Sequence, residues 1–154
     1  MKKQKHISYE KALKKSMYLC GKAEKCKSDI RKKLFDWKAK PDDHPKVIKE
    51  LERLKFIDEE RYTSFYVRDK FRFNKWGRIK IKSMLFQKQI PEKLIVLALT
   101  EIKEDEYIEM LKNVINQKSK HLKETDPYKL KSRLLHFAGS RGFEADLILK
   151  VLAI

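Results

Sequence analysis

Apolar residues recur along this chain at intervals of three and four, and no stretch alternates with a period of two. That pattern predicts helices and no sheet. Tyr62, Phe65, Tyr66, Asp69 and Phe73 fall on one helical face, as do Leu94, Ile95, Ala98, Leu99 and Ile102. Shorter stripes run through Leu130, Leu134 and Phe137, and through Ile148, Val151 and Leu152. Boundary signals agree with these stripes. Ser8, Ser28 and Asp58 stand where N-caps belong, the last two followed by acidic residues that suit the positive end of a helix dipole. Pro45, Pro91 and Pro127 fit first helical turns, where a missing N–H costs little, and Asp126 before Pro127 supplies a cap. Gly142 fits a left-handed residue that ends a helix.

The predicted helices repeat. Ile30-Arg-Lys-Lys-Leu34, Ile81-Lys-Ser-Met-Leu85 and Leu130-Lys-Ser-Arg-Leu134 share an apolar-basic-x-x-Leu frame, spaced 51 and 49 residues apart. A longer helix precedes each (near 8–20, 59–73 and 106–117), and a turn and a second apolar helix follow. Such a unit buries little by itself, and stacked neighbours complete its core. The expected fold is therefore all-α: three tandem repeats of a three-helix unit forming an elongated, curved array. The expected boundaries are a basic tail over 1–7 and repeats over 8–57, 58–103 and 104–154.

Composition narrows the function classes. The 154 residues include 38 Lys and Arg against 22 Asp and Glu, a formal charge of +16, with only four Gly and four Pro. The longest apolar run, Leu94 to Leu99, is far below the roughly 20 residues of a spanning helix, and no apolar segment follows the basic start. A cytoplasmic monomer without membrane contact is expected. Cys20 and Cys26 are six apart and the four histidines are scattered, so neither a metal site nor a cofactor is expected. Charge is uneven: net +10 over residues 1–40, −3 over 41–60, +8 over 61–93, −2 over 94–126 and +3 over 127–154. Two dense positive blocks around an acidic interval suit a surface that faces a polyanion.

The candidate contact residues lie in those blocks. Arg68, Lys70, Arg72, Lys75, Arg78, Lys80 and Lys82 have only Asp69 among them, and could hold phosphate oxygens without reading sequence. Arg68, Arg72 and Lys75 share one face if the helix continues that far. Trp76 beside them is either core or a stacking surface for bases, whereas Phe73 is assigned to the core. A second basic surface comprises Lys14, Lys25, Lys27, Arg31, Lys32 and Lys33. For each single residue a solvated helix face is the plain alternative. Chemistry-bearing sets are missing: Gly77, Gly139 and Gly142 form no phosphate loop, and Asp42-Asp43-His44 reads as a loop and helix cap. No active site is expected.

One set of motifs resembles a known family. Phe56-Ile-Asp-Glu-Glu-Arg-Tyr62, Phe65-Tyr-Val-Arg-Asp69, Trp76-Gly-Arg-Ile-Lys80 and Ile90-Pro-Glu-Lys-Leu-Ile95 follow one another as in RecX regulatory proteins. Lys22–Leu34 is similar to that family's first repeat, and Arg141-Gly-Phe143 with Ile148, Val151 and Leu152 to its end. Thr63 stands where the family usually has Ala, Gln87-Lys-Gln89 replaces its usual Lys-Gly before Ile90, and Lys38–Pro45 is a longer insert. The resemblance implies a non-catalytic regulator in recombination, DNA repair and the SOS response. Such proteins lie in the groove of the RecA–DNA filament, touch single- or double-stranded DNA nonspecifically, and inhibit ATP hydrolysis, strand exchange and co-protease activity. The residues alone also admit a sequence-nonspecific helical DNA-binding protein, because short three-helix units are often helix-turn-helix modules. Spread-out basic residues and largely apolar second helices such as 91–102 favour a broad positive surface over one recognition helix.

Overall fold

The computed structural model describes residues 5–153. Among them the chain forms nine helices: α1 (Tyr9–Lys22), α2 (Lys27–Asp36), α3 (Asp43–Arg53), α4 (Glu59–Arg72), α5 (Arg78–Gln87), α6 (Glu92–Leu99), α7 (Glu104–His121), α8 (Pro127–Ser140) and α9 (Ala145–Leu152). They group as three tandem triples, the all-α architecture that the periodicity predicts. The one extended pairing among the described residues is an isolated bridge of Ile7 to Ala39, beside which the Ile7 N–H donates to the Lys38 carbonyl at 3.3 Å.

Three predicted caps form. Ser8 Oγ accepts from the Lys11 N–H at 3.2 Å, Asp58 Oδ1 from the Arg61 N–H at 3.0 Å, and Asp126 Oδ1 from the Tyr128 N–H at 2.9 Å. Two boundaries move. The cap of α2 is Cys26, whose N–H donates to Asp29 Oδ2 at 3.2 Å, so Ser28 lies inside the helix. Pro91 caps α6 and is not its first residue.

The repeat is most regular where the second helices end. Past α2, α5 and α8 the chain enters the left-handed region at Lys38 (φ 59°), Gln89 (φ 61°) and Gly142 (φ 95°). The next residues, Ala39, Ile90 and Phe143, are buried, and their N–H groups donate to the carbonyls of Leu34, Leu85 and Ala138 at 3.0, 3.2 and 3.2 Å. A left-handed stop followed by a buried apolar residue seals a helix end against the core. This register aligns Ile30 with Ile81 and Leu134, and Leu34 with Leu85 and Ala138. The frame starting at Leu130 is therefore one turn early. α8 has 14 residues where α2 and α5 have 10, and the extra turn lies at its start, so a match counted from there slips by four.

Two cores result. Ala12, Ile30, Leu34, Val47, Leu51 and Ile57 pack within the first repeat. The second and third repeats share one larger core that includes Tyr66, Phe71, Ile81, Ile95, Tyr107 and Phe143. Cys26 is the first repeat's fully buried contribution to that larger core, and burial pushes its thiol up from the ordinary cysteine range. Thr63 is fully buried as well; its hydroxyl donates to the Glu59 carbonyl at 2.5 Å, which satisfies it where the resemblance expects Ala.

The assignment of Phe73 to the core is corrected by its 80% exposure. The buried face of α4 runs through Tyr62, Thr63, Tyr66, Val67 and Phe71, about one residue round from the predicted stripe. Phe73 follows the last helical residue and points away from that face, and Phe65 is also exposed.

Candidate nucleic-acid interface

Rotating the stripe of α4 turns a different set outward. Arg61, Phe65, Arg68 and Arg72 follow one another at i, i+4, i+7 and i+11, and all four are exposed, so they form one solvent-facing line. Arg61 is held by Glu24, Nε to Oε1 at 2.7 Å. Arg68 and Arg72 enter no ion pair among the described residues. The alignment of Lys75 with them fails because the helix stops: Lys75 has φ 56° and its Nζ donates to Gln117 Oε1 at 3.1 Å.

The rest of the first patch splits by role. Trp76 is half-buried between two lysines, with Lys70 Nζ 5.3 Å and Lys80 Nζ 4.6 Å from its ring centre. Cations over an indole face are attracted by its quadrupole, and here they compete with a base for that ring. Arg78 lies 3.8 Å over the Tyr107 ring, reaches Glu144 at 2.7 Å and Glu104 at 3.0 Å, and its own N–H donates to the Tyr107 oxygen at 3.1 Å. The Tyr107 hydroxyl donates in turn to Glu144. Burial alone would lower the arginine pKa, but the two carboxylates outweigh it and push it up. This guanidinium joins the second repeat to the third. Lys82 is exposed, 3.4 Å from Glu92.

The second basic surface divides as well. Lys27 is drawn to Glu52 (3.4 Å) and Glu59 (3.9 Å). Arg31 donates to Gln89 Oε1 at 3.2 Å, and Lys14 stands apart on α1 beside Tyr18 and Trp37. Lys25, Lys32 and Lys33 line a groove of about 410 Å³ whose far wall carries Phe65, Lys70 and Lys88, over a floor that includes Tyr62 and Tyr66. Thus the two basic blocks, separated in sequence by an acidic interval, meet across one groove. A second groove of about 560 Å³ adjoins it through Lys32, Asp29 and Lys88, with Arg31 on one side and Met84 and Gln87 on the other.

Lys88 was not among the predicted residues, and it closes the joint between α2 and α5. Its Nζ donates to Asp29 Oδ1 at 2.8 Å. Burial alone would raise the Asp29 carboxyl; the bonds from Lys88 and the Cys26 N–H outweigh it and hold the carboxyl below its ordinary range. Glu59 nearby goes the other way: burial raises it, against the opposing pull of Lys27. The sequence signal for this joint was the Gln87-Lys-Gln89 departure, which puts a side chain at a left-handed position.

Comparison with known proteins fits this geometry. The family model described as the second three-helix domain of RecX matches residues 58–99, and that for the third three-helix domain matches residues 104–152. The chain belongs to the RecX family. It is 30% identical over 149 residues to the regulatory protein RecX of Clostridium acetobutylicum, covering 94% of this chain and 69% of that one. It is 29% identical to that of Chlorobium phaeobacteroides over 93% of this chain and 92% of that one. The RecX of Clostridium perfringens strain 13 is longer, and the match spans 59% of it. Two crystal structures share the fold: a regulatory protein RecX (TM-score 0.88, 21% identity, 95% of this chain and 73% of that one) and RecX from Lactobacillus salivarius (TM-score 0.82, 17% identity, 94% of each). RecX regulators are thus the relatives of this chain, and no helix among the described residues is long and apolar enough to cross a membrane.

Proposed function

We propose that this chain regulates the RecA recombinase by binding in the groove of the RecA–DNA filament as a monomer in the cytoplasm, inhibiting ATP hydrolysis, strand exchange and co-protease activity without catalysis of its own. Membership of the RecX family supports the partner. The observation that carries the mode of binding is the junction groove, where Lys25, Lys32 and Lys33 of the first repeat face Lys70 and Lys88 of the second. Glu24, Asp29, Asp36 and Asp69 also line this groove, Glu24 paired with Arg61 and Asp29 with Lys88. The lysines beside them, on a chain of net charge +16, draw polyanions toward it, and a nucleoprotein filament presents phosphate along its whole length. We take residues 8–57, 58–103 and 104–154 as the working units. The first two supply the cations, with Arg68 and Arg72 extending the surface outward; Arg78, Lys27 and Lys75 hold the array together.

Titrating the chain into the single-strand-dependent ATPase of the host's own RecA tests this reading. Inhibition below one copy per recombinase subunit, absent with an unrelated DNA-binding domain of similar charge, is the expected result. Slowing that sets in only once the DNA is coated would favour the second reading, a nonspecific helical DNA-binding protein. Replacing Arg68 and Arg72 by Glu is expected to weaken filament binding at least tenfold at low salt while helicity is retained, since each removes a phosphate-competent cation and adds a repelling charge.

A further inference from the structure

The corrected repeat register exposes a pair that recurs. One residue after each buried Ile of the second helix stands a cation, Arg31 in α2 and Lys82 in α5, and one turn further on stands a phenylalanine, Phe35 and Phe86. Phe35 is 77% exposed and Phe86 71%, although the neighbouring Leu34 and Leu85 are fully buried. Arg31 and Lys82 are exposed too. At i and i+4 the cation and the ring share one face, turned away from the core that Ile30 and Ile81 enter. The third repeat breaks the pattern. Its equivalent positions hold Leu135, packed on the core, and Gly139, which has nothing within 4 Å of where a Cβ would stand.

An exposed phenylalanine is a hydrophobic cost with no return inside the monomer, and here it recurs in register with a positive charge. In α2 the face is Ser28, Arg31, Lys32 and Phe35; in α5 it is Ile79, Lys82, Ser83 and Phe86. No position within either face is acidic, although Asp29 borders Arg31 and Lys32 in the second groove and Glu92 of α6 stands 3.4 Å from Lys82. An exposed ring one turn from a cation on the same face fits a partner that offers a π-face beside a phosphate. Single-stranded nucleic acid does so at every nucleotide; in a duplex the base faces are already stacked on each other. We infer that Phe35 and Phe86 are base-stacking platforms for single-stranded nucleic acid, with Arg31 and Lys82 holding the adjacent phosphates. This deepens the filament reading by naming the strand form and the residues that meet it.

Fluorescence anisotropy with a labelled dT oligonucleotide of about 20 nucleotides, and with an abasic strand of equal length, tests it without recombinase. Failure here therefore leaves the regulator reading standing, to be judged by the ATPase titration. Phe35→Ala and Phe86→Ala should each weaken dT binding about tenfold, the value of one stacked base, and leave abasic binding within about twofold. Tyr18→Ala, an exposed aromatic outside the frame, should change neither. Arg31→Gln and Lys82→Gln should each reduce the slope of log affinity against log salt by about 0.7 on both strands. Because the side chains replaced are exposed, the helical circular dichroism should stay at its parental value. Phenylalanine variants that bind dT as the parent does, or that lose as much on the abasic strand, would overturn the assignment. So would loss of filament binding alone, which would make these faces protein contacts.

Discussion

The two junctions between repeats are equivalent in the chain and opposite in construction. In each, the start of one second helix meets the end of the next repeat's second helix. Between the second and third repeats the contact is backbone on backbone: the Gly77 N–H donates to the Arg141 carbonyl at 2.8 Å and the Ile79 N–H to the Gly142 carbonyl at 3.0 Å. Between the first and second, Cys26, Lys88 and Gln89 stand where Gly77, Arg141 and Gly142 do, and the contact is made by side chains, Lys88 to Asp29 at 2.8 Å and Arg31 to Gln89 at 3.2 Å. The difference is a Cβ. Two glycines let the backbones touch and the cores merge; a cysteine and a glutamine hold them apart, and charge fills the space. The backbone contact of the tight joint is insulated from salt, and the side-chain contact of the ionic one is not. The ionic joint also borders the groove that gathers the lysines, so the surface proposed for binding sits at the softer seam.

Closing off the tight joint should have the largest effect. A Cβ on Gly142 would stand 2.3 Å from the Lys80 Cβ and 2.5 Å from its backbone nitrogen, at a φ of 95°. Overpacking and the left-handed penalty together put Gly142→Ala at about 2–4 kcal/mol of lost stability. In thermal unfolding that is a fall on the order of 5–15 °C. A variant melting within about a degree of the parent would show that the joint yields more easily than backbone contact allows.

Removing the arginine that braces the same joint comes next. Arg78→Ala would leave Glu144 and Glu104 without their cation and uncover the Tyr107 ring. With about a quarter of its side chain exposed, the guanidinium should contribute about 1–2 kcal/mol. Arg78→Lys should recover only part of this, because an ammonium cannot span both carboxylates while lying flat on the ring. Urea midpoints for the three proteins separate these outcomes, and full rescue by Lys would reduce the brace to simple charge.

Most of this architecture was legible in the sequence, and what was not has a physical reason. Period and caps located the helices because those signals are local. The face of α4 was misread because Phe65 and Phe73 are aromatic, and hydrophobicity alone does not say whether a ring is packed or presented. The α8 frame slipped because a helix can gain a turn at its start while its end stays fixed by a left-handed stop. The junction groove could not be read at all: Lys33 and Lys70 are 37 positions apart, and only packing brings them together. Arg78 looked like one cation among seven until Glu104 and Glu144 stood beside it.

The ionic joint should respond to pH and salt through Asp29 and Lys88, whereas the backbone contact of the tight one should not. The Asp29 carboxyl is held below its ordinary range in the fold, so its contribution is complete above about pH 4 and is lost as pH falls through the lowered value. Glu59 is shifted up and works the other way, its burial penalty easing as it takes up a proton. Asp29→Asn should therefore cost about 1 kcal/mol at neutral pH, and less as pH falls toward 3 or as salt approaches about 1 M, where screening shortens to about 3 Å. Urea unfolding of parent and variant across that range measures the difference. Because the Cys26 N–H can still bond to an Asn oxygen, the cap is kept in this variant, and a constant difference would show that the Lys88 pair is not the source of the loss.

The smallest change asks whether a single side chain sets the character of a joint. Gln89 occupies the position that Gly142 fills in the next repeat, at a φ of 61° that disfavours any residue with a Cβ. Gln89→Gly removes that strain, gives up an exposed bond to Arg31, and clears the space beside α2. Relief of the left-handed penalty is worth about 1 kcal/mol, and an exposed hydrogen bond less than that, so the variant should be more stable by about 0.5 kcal/mol. If the side chain is what props the joint open, salt should also destabilise this variant less than it does the parent. A gain in stability with unchanged salt dependence would separate the two effects, leaving the Lys88–Asp29 pair, and not the missing glycine, as the reason this seam is ionic.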